Sequence, residues 1–159
     1  MSTLSRLLHL GSPGVPSATE APALSRLPTS PSRPYVLVIE DHPEAAECMR
    51  CALEQLRVYS MISHDGETGL KMAGVMHFNL IILDVLMPGM NGFEVCRAIR
   101  KAPALRDVPV MFVTCVTSPE AQEQAAGLGA AHYLCKPFDL VDFQTQVQRI
   151  LTDEGKRRG

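Results

Sequence analysis

No stretch of this chain approaches the roughly 18 consecutive apolar residues that a membrane-spanning helix needs, so no span is expected. Nor does one sign of charge dominate. The formal net charge is -2 and the pI is about 6.2, which argues against a protein that coats nucleic acid or lies on a membrane surface. The N-terminus lacks the long apolar core of a secretory signal. Cysteines number five, and an odd count without a signal peptide points to reduced thiols. Cys48-Met-Arg-Cys51 has C-x-x-C spacing, but no second cysteine or histidine pair lies nearby and zinc needs more ligands. Free buried cysteines are therefore expected. His42, His64, His77 and His132 lie apart, form no metal pattern, and are expected on the surface or in loops. Lys156-Arg-Arg158 is too short a basic run for nucleic-acid or membrane binding. From these features a soluble, cytoplasmic protein is expected.

What is present divides at residue 33. Six of the 12 prolines and seven serines fall within the first 34 residues, with no strongly apolar run between them. Such a segment cannot bury enough surface to offset its ordering entropy. Residues 1–33 are expected to be a disordered leader, with a targeting peptide as the weaker alternative because Leu4, Leu7, Leu8 and Leu10 make a short apolar patch. The leader holds three arginines and one glutamate, so the remainder, with 12 basic and 16 acidic residues, is mildly acidic. With 159 residues and 46% hydrophobic composition, the chain has room for one domain with a real core and excludes a multidomain enzyme. Residues 34–151 are the expected domain, and 152–159 a fraying polar tail.

Within that domain, short apolar runs alternate with segments of helical period. Tyr35-Val-Leu-Val-Ile39, Leu80-Ile-Ile-Leu83 and Val110-Met-Phe-Val113 read as strands, with weaker candidates at Val58 to Ser63 and His132 to Leu134. Continuous rather than alternating apolar character suggests strands covered on both faces, as in a parallel sheet. Pro43 opens a helix carrying Ala45, Met49, Ala52, Leu53 and Leu56; Asp65 to Gly74 forms a second; Asn91 caps a third that Pro103 stops. Ser118-Pro119-Glu120 starts a fourth that ends near Gly127 or Gly129, and Asp139 caps a fifth reaching Leu151. Met87, Met90 and Met111 look like loop and core packing. The order βαβαβαβαβα predicts a doubly wound α/β fold with a five-stranded parallel sheet and right-handed crossovers.

In such sheets ligands bind beyond the carboxyl ends of the strands. Here those ends carry Glu40 and Asp41, then Asp84, then Thr114, then Lys136 and Pro137. Any one alone would pass for a cap or a surface residue. Together they put three carboxylates, a hydroxyl and an ammonium on one edge. Clustered carboxylates repel unless a cation sits among them, and hard divalent ions such as Mg²⁺ choose oxygen ligands.

Glu40-Asp41, Leu83-Asp84-Val-Leu-Met-Pro-Gly-Met-Asn-Gly92, Thr114 and Tyr133-Leu-Cys-Lys136-Pro137-Phe138 together resemble the receiver domain of two-component response regulators, over residues 35–151. The resemblance implies a flavodoxin-like (βα)5 receiver fold and an Asp84 that takes a phosphoryl group from a histidine kinase or phosphotransfer protein. It further implies Mg²⁺ held by Asp41, Asp84 and the backbone carbonyl of Leu86, with Glu40 acting through water. Lys136 and Thr114 would contact the phosphoryl oxygens, Thr114 and Tyr133 would form the switch, and Pro137 occupies the family's cis-peptide position. Cys115 stands where a small residue is usual. It flanks the site together with Cys135, which permits a redox effect, although a cysteine filling a small slot explains it more simply. Leu86 and Val116 hold the positions whose side chains govern water attack on the phosphoryl group, and neither can orient water, so self-dephosphorylation is expected to be slow.

Two competing readings share some of these features. A haloacid-dehalogenase-type phosphatase also uses a strand-end aspartate, but usually needs a second aspartate where Leu86 stands. A pseudo-receiver that only binds proteins would lack one of the acidic, Asp, Thr or Lys elements, and all are here. Eight residues follow Leu151, too few for an output module, so the chain is expected to be a stand-alone receiver or a piece of a longer regulator. Its downstream contacts would use the fourth helix, fifth strand and fifth helix, a face also open to homodimerisation.

Overall fold

The computed structural model describes residues 33–158. Apart from Arg33, the expected leader lies outside the described residues. The elements alternate as expected: β1(Tyr35–Ile39), α1(Pro43–Gln55), β2(Tyr59–Ser63), α2(Gly66–Val75), β3(Leu80–Leu83), α3(Gly92–Lys101), β4(Val110–Thr114), α4(Pro119–Gly127), β5(His132–Cys135) and α5(Leu140–Arg158). The strands are all parallel, in the order β2-β1-β3-β4-β5. The strand order therefore reverses at β1 and β3, which is where a doubly wound sheet opens a crevice.

The caps explain where helices begin. Asp65 accepts from the Thr68 N–H at 2.7 Å, and Asn91 pairs reciprocally with Glu94 in a capping box. Ser118 accepts from Ala121, with Pro119 at the first helical position. Each such cap contributes on the order of 1 kcal/mol by satisfying an N–H that the helix leaves unpaired.

Continuous apolar strands do bury both faces. On one side Leu37, Ile39, Ile81, Leu83, Val110 and Phe112 pack against α2, α3 and α4. On the other Val36, Val38, Leu80, Ile82, Met111 and Val113 pack against α1 and α5. A row of mutually tilted aromatic rings runs across the first side, with Phe93 5.3 Å from Phe112 and Phe112 5.9 Å from Tyr133. At the pole opposite the strand ends, Arg100 donates to the carbonyls of Leu128, Gly129, Arg106 and Val108 at 2.7 to 3.1 Å, tying α3 to two loops.

Three expectations need correction. The fifth helix does not fray at Leu151 but continues to Arg158, because Glu154 falls on the buried face after Ile150 and pairs with Arg157 and Arg158. Those basic residues in the last turn also oppose the negative end of the helix dipole. The cysteines are not uniformly buried: Cys96 is, but Cys48, Cys51 and Cys115 are exposed. In α1 the inward face carries Ala46, Met49, Ala52 and Leu53, which leaves Cys48 and Cys51 on the outer face, and Ala46 rather than Ala45 is the buried alanine.

His132 at the start of β5 is half-buried. Burial, aided by the charge of Arg149 and opposed by Asp142, holds its pKa below the ordinary imidazole value. A folded pKa below the unfolded one means that the unfolded chain binds the proton first as pH falls. Stability is thus present above about pH 6.5 and is lost on acidification below it. Urea midpoints measured from about pH 7.5 down to about pH 5.5 should fall less steeply for His132→Gln than for the natural chain. Parallel slopes would refute this assignment.

Candidate functional site

The β1–β3 register pairs Ile39 with Leu83, so the next residues, Glu40 and Asp84, emerge side by side at the crevice. Backbone bonds hold them there: the Glu40 N–H donates to the Ser63 carbonyl and the Asp84 N–H to the Ile39 carbonyl, each at 3.0 Å. Lys136 leaves β5 with its own N–H on the Thr114 carbonyl at 2.8 Å, and the Lys136–Pro137 bond is cis, as the resemblance implies. Three of the expected strand-end residues, Glu40, Asp84 and Lys136, meet directly. Lys136 Nζ lies 2.5 Å from Glu40 Oε2 and 3.2 Å from Asp84 Oδ2.

Burial makes that meeting energetically serious. Glu40 is fully buried and Asp84 only 5% exposed. A buried charge without a partner costs several kcal/mol. Burial alone would lower the Lys136 pKa; the hydrogen bond to Glu40 and the charges of Asp84 and Glu40 outweigh it and hold the ammonium above its ordinary value. One ammonium does not balance three carboxylates, however. Ligand atoms of Glu40, Asp41, His42 and Asp84 all lie within 4.8 Å of one another. That oxygen-rich, under-neutralised donor set fits a hard divalent cation.

His42 is the member that sequence reasoning left out. It is exposed, as expected, yet its Nδ1 stands 3.0 Å from Asp41 Oδ1 and 3.4 Å from Glu40 Oε1. Its adjacency to Asp41 was the only available signal, since a histidine's direction depends on how the chain turns into α1.

The remaining polar groups line the β4 and β5 ends. Thr114 is fully buried, and its Oγ1 accepts from the Val116 N–H at 3.3 Å. The half-buried Tyr133 donates its Oη–H to the Val116 carbonyl at 2.8 Å. Burial first, then Cys135 and Asp84, push the Tyr133 pKa up, so the phenol stays protonated and able to donate. The Val116 backbone thereby joins Thr114 to Tyr133. Leu86 donates its N–H to Asp84 Oδ1 at 3.3 Å, while its side chain is 58% exposed.

A family model described as the response regulator receiver domain matches residues 36–148. The chain belongs to the response regulator receiver family. Among curated relatives, this receiver domain is 34% identical over 116 residues to the transcriptional activator protein IrlR of Burkholderia pseudomallei, covering 73% of this chain and 49% of that protein. It is 31% identical over 118 residues to the response regulator ArlR of Staphylococcus aureus, covering 73% of this chain and 52% of that protein. The chain thus spans about half the length of the curated relatives it matches. Among solved structures, the receiver domain is similar to the chemotaxis protein CheY4 of Vibrio cholerae, with a TM-score of 0.71 at 29% identity over 75% of this chain and 99% of that one. The receiver fold and the place of this domain in two-component signalling follow from these matches. They lend no support to the phosphatase reading. No helix among the described residues is long and apolar enough to cross a membrane.

Proposed function

We propose that Asp84 is the phosphoacceptor of this receiver, taking a phosphoryl group from a histidine kinase or phosphotransfer protein in a cytoplasmic phosphorelay. The observation that carries the reading is a nearly buried Asp84 paired with the Lys136 ammonium and lying beside the carboxylates of Glu40 and Asp41. Asp84 supplies the nucleophilic oxygen. Lys136, already 3.2 Å from Asp84, neutralises charge on the arriving phosphoryl oxygens. Glu40, Asp41, Asp84 and the Leu86 carbonyl would hold Mg²⁺, which when bound supplies further neutralisation of those oxygens.

The switch rests on Thr114 and Tyr133. Rotation of the Thr114 hydroxyl toward a phosphoryl oxygen gives up its bond to the Val116 N–H. The loop after β4 is then free to shift, and with it the carbonyl that anchors Tyr133. A local charge event is converted into a change of the surface formed by α4, β5 and α5, which we assign to a downstream protein or a second copy of the chain. No direct contact with nucleic acid or membrane belongs to this reading. The test is incubation with acetyl phosphate or phosphoramidate and Mg²⁺, followed by intact mass. One phosphoryl addition is expected, whereas none would favour a pseudo-receiver and turnover of phosphomonoesters a phosphatase.

The lifetime of the phosphorylated form follows from two side chains. The exposed Leu86 and the half-buried Val116 border the site but offer no hydrogen-bonding group to a hydrolytic water. Loss of the label at neutral pH with Mg²⁺ should take far longer than seconds. Leu86→Asn, which can orient a water, should accelerate it by about tenfold or more. Loss within seconds in the unsubstituted protein would refute this.

A further inference from the structure

We infer that His42 is a metal-ligating residue of the carboxylate cluster, so that this site favours divalent transition ions such as Mn²⁺ and Co²⁺ over Mg²⁺. The inference rests on the reading that the cluster holds a cation, and goes beyond it in naming a nitrogen ligand and a different metal preference.

His42 occupies the N-cap of α1 with extended backbone, but its side chain makes no capping bond. The imidazole is instead directed at the carboxylates, 3.0 Å from Asp41 Oδ1 and 3.4 Å from Glu40 Oε1. The residue is anchored from its backbone, where its N–H donates to Glu40 Oε1 at 3.2 Å. Its ring nitrogen and the oxygens of Glu40, Asp41 and Asp84 fall within 4.8 Å of one another. Atoms each about 2.0 to 2.2 Å from one ion lie within roughly 4.4 Å of one another, so a rotation of the exposed ring is the main adjustment required. At 72% exposure that rotation disturbs no packing.

The chemistry of the added donor sets the preference. Mg²⁺ is hard, keeps its waters and gains little from imidazole. Affinity for nitrogen rises from Mn²⁺ to Co²⁺ along the divalent series. The competing role, an imidazole that donates a hydrogen bond to Asp41 and only orients it, is told apart by its metal dependence. In that role its loss would weaken every cation alike, because all of them use Asp41.

The experiment is calorimetric titration of the full chain with Mg²⁺, Mn²⁺ and Co²⁺, in the natural protein, His42→Ala, His42→Gln and Asp41→Asn, with pulsed EPR of the Mn²⁺-loaded samples. Removal of the imidazole should weaken Co²⁺ by about tenfold or more and leave Mg²⁺ within about twofold. The nitrogen coupling to Mn²⁺ should vanish in both His42 variants. Equal weakening of Mg²⁺ and Co²⁺, unchanged affinities, or no nitrogen coupling in the natural protein would overturn the inference while leaving a cation in the cluster. Should Asp41→Asn bind all three ions as the natural protein does, the cation reading fails and this inference fails with it.

Discussion

Asp84→Asn is expected to take up no phosphoryl group from acetyl phosphate in the presence of Mg²⁺, under conditions where the unsubstituted chain gains one. A carboxylate oxygen attacks phosphorus and expels acetate; an amide has no comparable nucleophile. The substitution is nearly isosteric. Its side-chain carbonyl still accepts from the Leu86 N–H, and Lys136 keeps its pairing with Glu40, so folding is preserved and thermal unfolding can verify it. Neighbouring carboxylates are poor substitutes. Glu40 is fully buried, one oxygen is bound by Lys136 and the other by the His42 N–H. Asp41 has one oxygen against His42 and stands on the loop into α1 rather than beside Lys136. Persistence of the added mass in Asp84→Asn would move the acceptor to another residue and overturn the proposed function.

Gly92→Ala should destabilise the domain by about 3 kcal/mol or more. A Cβ at this first residue of α3 would lie 2.0 Å from the Asp84 carbonyl oxygen, 2.9 Å from the Asp84 carbonyl carbon and 3.0 Å from the Val85 Cα. All three are backbone atoms, which cannot rotate away as a side chain would. The Gly92 N–H is also bonded to the Val85 carbonyl at 3.0 Å, so α3 cannot retreat without losing that bond. The displaced atoms belong to Asp84 itself, and phosphorylation should slow along with the loss of stability. Gly74→Ala is the control. Its Cβ meets nothing within 4 Å, and in the last turn of α2 alanine should be neutral or stabilise by up to about 1 kcal/mol. Urea unfolding of both variants checks the pair. A cost below about 1 kcal/mol for Gly92→Ala would show that the loop after β3 yields.

The two substitutions mark different depths of legibility. Asp84 could be named from sequence because polar residues end several apolar strands together, with Glu40-Asp41, Thr114 and Lys136 beside it, and because it lies in the Leu83–Gly92 motif. Gly92 was visible only as the last letter of a motif; its reason, contact with the backbone of Asp84, appears once β3 and α3 are in place. The outer-face cysteines of α1 depart from expectation for a related cause. Composition and spacing say which residues share a helix, but a shift of one position, as between Ala45 and Ala46, decides which face is inward. The extension of α5 to Arg158 was hidden because Glu154, a buried charge, breaks the apolar period by which a helix end is judged.

The sequence by itself determined the kind and order of the elements and the polar residues that end the strands. Those properties are local: apolar runs, caps and breakers act over a few residues. It also carried the motif that points to the receiver family. Only the tertiary structure decided which strand ends are neighbours. Glu40 and Asp84 are 44 positions apart and Lys136 a further 52, and they meet because the sheet order β2-β1-β3-β4-β5 buries both faces of the central strands. Adjacency of that kind comes from burying apolar surface across the whole domain, which no local pattern records. The charge balance of the site, the Val116 link between Thr114 and Tyr133, and the approach of His42 to the carboxylates all follow from it.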